Sequence, residues 1–397
     1  MNKLEELIKE FCPNGVEYKR IGDIGRVAMC KRIMKSDTAS EGDVPFYKIG
    51  TFGGKADAYI NRDKYEEYRA KYSYPKKGDI LISAAGTIGK TVIFDGEPAY
   101  FQDSNIVWLE HDESIVLNKY LYYVYQTNPW NVSTGGTISR LYNDNITNAI
   151  IPLPALPVQR EIVRILDSFT LYSAELTAEL TARRKQYEFY RDKLLNFNHV
   201  QYKEVALLEL LCQSITDGPH ETPVFVDSGI PFISAEAIHD TRIDFSKIRG
   251  FISSEYNEQC NKKYKPQIND VFMVKSGSTT GKVAMVTDSR EFNIWSPIAA
   301  MRTNTSLLPR YLFYILQTKD IQNQVVKYAS NGSQPNLSMR KLEQFKIKVP
   351  PIEVQERIVK VLDNFDAICS DLGIGLPAEI EKRQKQYEYY RDKLLTF

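Results

Sequence analysis

Two lysines in this chain close short loops of small residues, AAGTIGKT at residues 84–91 and SGSTTGKV at residues 276–283. The first satisfies the loose phosphate-loop pattern, which works only where the loop opens a helix whose N-terminal amides face the anion. The residues after Lys90, TVIFDGEPAY, read as strand and turn, and the second loop puts Ser276 and Val283 at the defining positions. ATP binding is rejected, and both loops are read as hairpins that expose a lysine beside small hydroxyl residues. Asn128, Pro129 and Trp130 imitate the start of an adenine-methylating motif but lack its second proline and follow a helix, not a strand. GTFGG at Gly50 is too weak a signal for an S-adenosylmethionine loop. The five cysteines and four histidines have no metal-ligand spacing, so no metal site is expected. No catalytic residue is nominated.

What the chain does offer is polar side chains suited to phosphates and base edges. At the hairpins these are Ser83, Thr87 and Lys90 in the first half and Lys275, Ser278, Thr279 and Lys282 in the second. A further set lies in GTISRLYNDN (residues 136–145) and GSQPNLSMRK (residues 332–341): Ser139, Arg140 and Asn143, then Gln334, Asn336 and Arg340. Such residues are routine in loops. Their weight comes from their recurrence at the same place in both halves.

The elements that carry these loops are written twice. Residues 183–197 read RRKQYEFYRDKLLNF and residues 383–397 read RQKQYEYYRDKLLTF, twelve of fifteen identical. IPLPALPVQREIVRILDSF (151–169) matches IKVPPIEVQERIVKVLDNF (347–365), and NKYLYYVYQT (118–127) matches PRYLFYILQT (309–318). GDILISAAGTIGKTVIF from Gly78 matches NDVFMVKSGSTTGKVAMV from Asn269; VPFYKI at Val44 matches IPFISA at Ile230, and VEYKRI at Val16 matches VQYKEV at Val200. The order is the same throughout, so the chain is a tandem pair. Each unit reads as short β-rich runs bounded by turn signals and ending in one aromatic helix, an α+β domain whose strands support exposed loops. The expected division is a domain at 1–153 with a short N-terminal helix, a long helix at 154–197, a second domain at 198–350 and a second long helix at 351–397.

The first long segment places Ile162, Leu166, Phe169, Leu176, Leu180, Tyr187, Tyr190, Leu194 and Phe197 at alternating steps of four and three, filled by Ser173 and Arg183, a heptad seam. At 1.5 Å per residue such a helix is about 60 Å long and needs another helix to cover its seam. The second copy keeps step through Ile358, Leu362, Phe365, Cys369, Leu372 and Leu376, and after a four-residue insertion resumes at Ile380, Arg383, Tyr387, Tyr390, Leu394 and Phe397. Gly373, Gly375 and Pro377 stand there, which predicts a kink or break.

Across 397 residues the net charge is +1, where a stand-alone DNA binder is often strongly basic. A near-neutral total leaves room for a basic face and suggests that a partner supplies part of any phosphate contact. No run of 18 apolar residues occurs, and MNKLEELIKE lacks a signal peptide's apolar stretch, so no membrane partner and a cytoplasmic location are expected.

The whole chain resembles a specificity (S) subunit of a type I restriction-modification enzyme. The resemblance rests on EFCPNGVEYKRIGDI, the G-D-I-L and G-x-x-G-K hairpins, DGPHETP at Asp217, the two P-x-x-x-x-Q helix starts, and the QYEFYRDKLL and QYEYYRDKLL ends. The second hairpin departs from the pattern, with Asn269 for the leading glycine. The resemblance implies a non-catalytic reader of double-stranded DNA. Its two target recognition domains would bind the halves of a split, asymmetric sequence, and its long helices would pair as an antiparallel coiled coil with pseudo-two-fold symmetry. Two methyltransferase (M) subunits would dock on the helices through residues such as Ile162, Leu166, Phe169, Tyr187, Tyr190, Leu194, Ile358, Leu362, Phe365, Tyr387, Tyr390 and Leu394, which also pair the helices. Restriction (R) subunits would join them. S-adenosylmethionine, ATP and Mg would belong to the partners, and no cofactor to this chain. The alternatives are a specificity subunit of another multisubunit methyltransferase, and a coiled-coil scaffold without base readout.

Overall fold

The computed structural model describes residues 2–130, 140–197, 201–330, 334–371 and 373–397. The chain divides into two units, Met1–Glu175 with Glu381–Phe397, and Leu176–Ile380. Each contains one mixed domain of helices and sheets, and the helix Leu156–Leu194 lies between the two domains in the chain.

In the first unit, Gly25–Ala28, Ile106–His111, Ile80–Ser83 and Thr91–Ile93 form, in that order, a four-stranded antiparallel sheet. Ile80 and Ile82 pack into one core with Tyr120 and Val124 of the helix Asn118–Tyr125, while Leu81 packs into another with Phe46, Tyr100 and Trp108. A strand covered on both faces reads as a continuous apolar run rather than an alternation. A three-stranded sheet, Tyr59–Ile60, Val44–Tyr47 and Tyr100–Phe101, completes the second core. Glu17–Arg20 pairs antiparallel with Ile150–Leu153 and so joins the start of the domain to its end.

The second unit repeats this plan with Thr216–Asp217, Ile298–Met301, Val271–Val274 and Val283–Met285; with Gly250–Ile252, Ile230–Ile233 and Asn293–Ile294; and with Lys203–Ala206 against Lys346–Val349. Val271 and Met273 face one core, Phe272 and Val274 the other. Gly78 and Asn269 open the two hairpins at φ +96° and +74°, and their N–H groups donate to Phe94 O and Val286 O, both at 2.8 Å. Asparagine tolerates the left-handed region, so Asn269 preserves the turn that glycine makes in the first copy.

Each domain is fastened to its helix by a buried glutamine, the Q of the repeated P-x-x-x-x-Q. Gln159 donates to Ile115 O (3.0 Å) and Pro154 O (2.8 Å) and accepts from Leu117 N–H (2.9 Å). Gln355 donates to Ser306 O (3.1 Å) and Pro350 O (3.0 Å) and accepts from Leu308 N–H (2.9 Å). A turn or two further on, Asp167 accepts from Tyr123 and Asp363 from Tyr314, both at 2.6 Å.

The helices pair within each unit. In the first, the rings of Phe169 and Tyr390 stack 5.4 Å apart at 22°, and the Arg383 guanidinium lies 5.1 Å from the Tyr172 ring centre, so the two segments run antiparallel. In the second, Tyr190 and Phe365 stack 5.7 Å apart at 23°, and Cys369 lies beside Arg184. Ile162, Leu166, Tyr387 and Leu394 enter the first unit's core, and Tyr187, Ile358 and Leu362 the second's, with Leu194 packed against it. The second stretch is not one helix but two, Ile352–Ser370 and Leu376–Leu394. Gly373 and Gly375 lie in the break, where the Asp371 carboxylate accepts the N–H groups of Gly373 (2.6 Å) and Ile374 (3.1 Å). Leu372, expected in the seam, lies outside the described residues.

Candidate nucleic-acid interface

The hairpin and the segment before the helix, far apart in sequence, form one composite loop in each unit. In the first, Gly89 N–H donates to Ser83 O (2.9 Å) and closes the hairpin, and Leu141 N–H donates to Ala84 O (2.8 Å). Ala85 and Arg140 are thereby bridged in antiparallel fashion. In the second, Gly281 N–H donates to Val274 O (2.8 Å), Leu337 N–H to Lys275 O (2.7 Å), and Ser276 is bridged to Asn336. Two backbones with the same hydrogen bonds thus carry different side chains.

Of the predicted contact residues, Thr87, Lys90, Asn143, Ser278, Lys282, Gln334, Asn336 and Arg340 are exposed, and Thr279 and Arg140 are half-buried. The Arg140 guanidinium donates to Ser104 O at 2.9 Å and lies 6.0 Å from the ring centre of the exposed Tyr142. Lys90 is exposed yet held: its ammonium donates to Phe52 O at 2.6 Å. Two side chains point inward instead. Ser83 is buried, its hydroxyl donating to Thr87 O and accepting from Lys90 N–H, so it shapes the loop. Lys275 is buried with its ammonium 3.3 Å from Asp217. The bonding capacity of Ser83 is taken up by its own turn and that of Lys275 by an acid two strands away in the sheet, which a loop pattern in sequence does not reveal. Ser139 lies outside the described residues.

A profile of the Type I restriction modification DNA specificity domain matches residues 13–183 and 225–382. The chain belongs to this family. The EcoR124I/EcoR124II specificity subunit of Escherichia coli is 34% identical over 298 residues, 72% of each chain. A Haemophilus influenzae protein described as a type I restriction enzyme specificity subunit is 59% identical over 182 residues, which are 45% of this chain and 47% of that protein. Two solved structures share the fold: the type I restriction-modification S subunit from M. genitalium, with a TM-score of 0.50 at 15% identity, covering 96% of this chain and 95% of that one; and a chain from work on complex assembly and conformational transition of the type I system, with a TM-score of 0.60 at 16% identity, covering 96% and 98%.

Within this specificity-domain frame the structure adds residues that the sequence did not single out. Residues 48–55, which carry Lys48 and Lys55, fold against the first hairpin: a Cβ on Gly53 would lie 3.0 Å from Lys90 Nζ, and one on Gly86 would lie 3.4 Å from Ile49 Cγ1. The stretch after the equivalent strand of the second unit carries Glu236 and Asp240 instead, so the two loops differ in charge as well as in shape. In the second unit Asp217, from DGPHETP, is buried and receives Lys263 Nζ at 2.5 Å and Lys275 Nζ at 3.3 Å. Burial alone would push the Asp217 carboxyl up; Lys263 and Lys275 overcome it and hold the group below the usual carboxylate range. The signal available in sequence was the DGPHETP motif, whose acid ends a two-residue strand.

The helix ends present a second kind of surface. Phe189 and Tyr389, at the same position of the repeat, are 61% and 60% exposed. Lys193 and Lys393 lie 5.9 and 5.8 Å from their ring centres. No helix among the described residues is long and apolar enough to cross a membrane.

Proposed function

We propose that this chain is the non-catalytic DNA-reading subunit of a type I restriction-modification complex, with a split, asymmetric target read half by each composite loop. The observation that carries the reading is the duplicated backbone with unlike exposed side chains: a frame conserved between units while the reading residues differ is what two different half-sites require. The reading domains are residues 1–153 and 198–350, a division supported by the strand pairs that join the start of each domain to its end, and the helical segments are 154–197 and 351–397. Base and phosphate contacts come from Thr87, Lys90 and Asn143 in the first domain and from Ser278, Lys282, Gln334, Asn336 and Arg340 in the second. Two methyltransferase subunits dock on the helical segments, where Phe189 and Tyr389 offer exposed aromatic anchors. Restriction subunits join that core, and S-adenosylmethionine, ATP and Mg belong to the partners. The complex works in the cytoplasm. Methylome sequencing of a host that expresses the chain with its methyltransferase subunits tests this directly. A two-part motif methylated on both strands supports the proposal; a continuous motif, or none, refutes it.

A further inference from the structure

The second unit holds a charge cluster with no counterpart among the described residues of the first. Asp217 lies on Thr216–Asp217, a strand paired to Ile298–Met301, and its side chain is 1% exposed. Around it stand Lys263 Nζ (2.5 Å), His220 Nε2 (3.2 Å) and Lys275 Nζ (3.3 Å). The turn that carries His220 is pressed against the end of the strand Asn293–Ile294 and the residues after it: a Cβ on Gly218 would lie 1.8 Å from Ile294 O, and Ser296 N–H donates to Pro219 O at 3.2 Å. In the first unit Ala84 occupies the place of Lys275, and the strand Gly25–Ala28 contains no acid.

One carboxylate neutralises one lysine, and two lysines are present before His220 is counted. The second charge is nearly out of water, since the Lys275 side chain is 10% exposed. A buried cation without a matching anion is costly, and an arriving anion would relieve that cost. Lys263 and His220 are 51% and 71% exposed, so the cluster opens to solvent through two groups able to donate to an oxyanion, beside a cavity of about 200 Å³ lined by Tyr256, Lys263 and Asn293. The backbone of Lys275 belongs to the composite loop, with its carbonyl accepting Leu337 N–H, so an anion held here lies at the foot of the reading surface.

We propose that Lys263, His220 and Lys275, gathered on the buried carboxylate of Asp217, bind one backbone phosphate of the DNA at the second half-site. The inference rests on the DNA-reading function proposed above and gives it an asymmetry: the first half-site has no equivalent contact. Asp217 acts through the lysines and is a positioning residue.

The test uses the complex assembled with its methyltransferase subunits, titrated against a duplex carrying the methylated motif and against an unrelated duplex, from 50 to 200 mM salt. Lys263→Gln and His220→Gln, both at exposed side chains, are first checked for unchanged thermal melting. Removing one phosphate contact lowers the slope of log K against log salt by about 0.9. The wild-type advantage over Lys263→Gln therefore shrinks about 3.5-fold across this range, equally on both duplexes. Scanning single neutral methylphosphonates along the duplex should find one position in the second half-site that weakens wild type but not Lys263→Gln. Sodium phosphate should compete no better than chloride at equal ionic strength; specific competition would mean that the ligand is free phosphate and would overturn the proposal. Unchanged slopes in both variants, or a change in base preference without a change in slope, would also overturn it. A wild-type complex without target preference would instead count against the reading function, while the slope comparison could still be made on any duplex.

Discussion

Gln355→Ala removes the side chain that fastens the second domain to its helix, and the cost can be worked from three bonds. The substitution strips Leu308 N–H of its acceptor and the Ser306 and Pro350 carbonyls of a donor, at sites where the glutamine is 1% exposed. Leaving a buried polar group unpaired costs about 1 to 3 kcal/mol, less for a carbonyl that keeps other partners, so about 3 to 5 kcal/mol is expected locally. At about 1.4 kcal/mol per factor of ten, the Leu308 amide should exchange with deuterium about 100- to 5,000-fold faster. Exchange followed by mass spectrometry supplies its own control: Leu117 N–H is bonded to Gln159 in the same way and should stay protected. Gln355→Glu should be no better than alanine, because an ionised carboxylate cannot donate to the two carbonyls. Methylation should fail through the second half-site. A rise of less than about five-fold at Leu308, or an equal rise at Leu117, would refute the reasoning.

Other consequences are as specific. Lys282 is exposed and its side chain has no hydrogen bond or ion pair among the described residues, so Lys282→Ala should lower the salt slope of DNA binding by about one; Lys90→Ala should also release Phe52 O, adding faster proteolysis near residue 52 to any loss of binding. Arg164, then Lys3, holds the buried Glu161 carboxyl down to about 2, so its share of stability is present above the ordinary carboxylate range and is lost as pH falls toward 2; Glu161→Gln should flatten that part of a melting-temperature profile. Phe189→Ala with Tyr389→Ala should leave melting unchanged but weaken association with methyltransferase subunits by about 30-fold or more, read by sedimentation, if the pair are anchors worth about 2 kcal/mol.

Much of this architecture was legible because the repeat carries its own alignment. The strand after Lys90 excluded a phosphate loop, and Gly373 and Gly375 marked the helix break. The heptad positions of Phe169, Tyr190, Phe365 and Tyr390 named the residues that stack. The composite loops were only half legible: hairpin and pre-helix segment were each singled out, but their union depends on the Leu141-to-Ala84 and Leu337-to-Lys275 bonds, which span more than fifty residues and leave no local pattern. The inward turn of Lys275 was hidden for a similar reason, since its partner Asp217 comes from a strand on the far side of Ile298–Met301. Strands covered on both faces, such as Val271–Val274, show no alternation, so sequence could not say which side chains face which core.

The central claim is that each domain reads its own half of the target. Replacing residues 22–150 with the corresponding region of a related specificity subunit, and sequencing the methylome of cells that express the hybrid with the methyltransferase subunits, tests it most directly. One half of the methylated motif should change to that of the donor, while the other half stays the same. A motif altered in both halves, or unchanged in both with full methylation, would contradict the account.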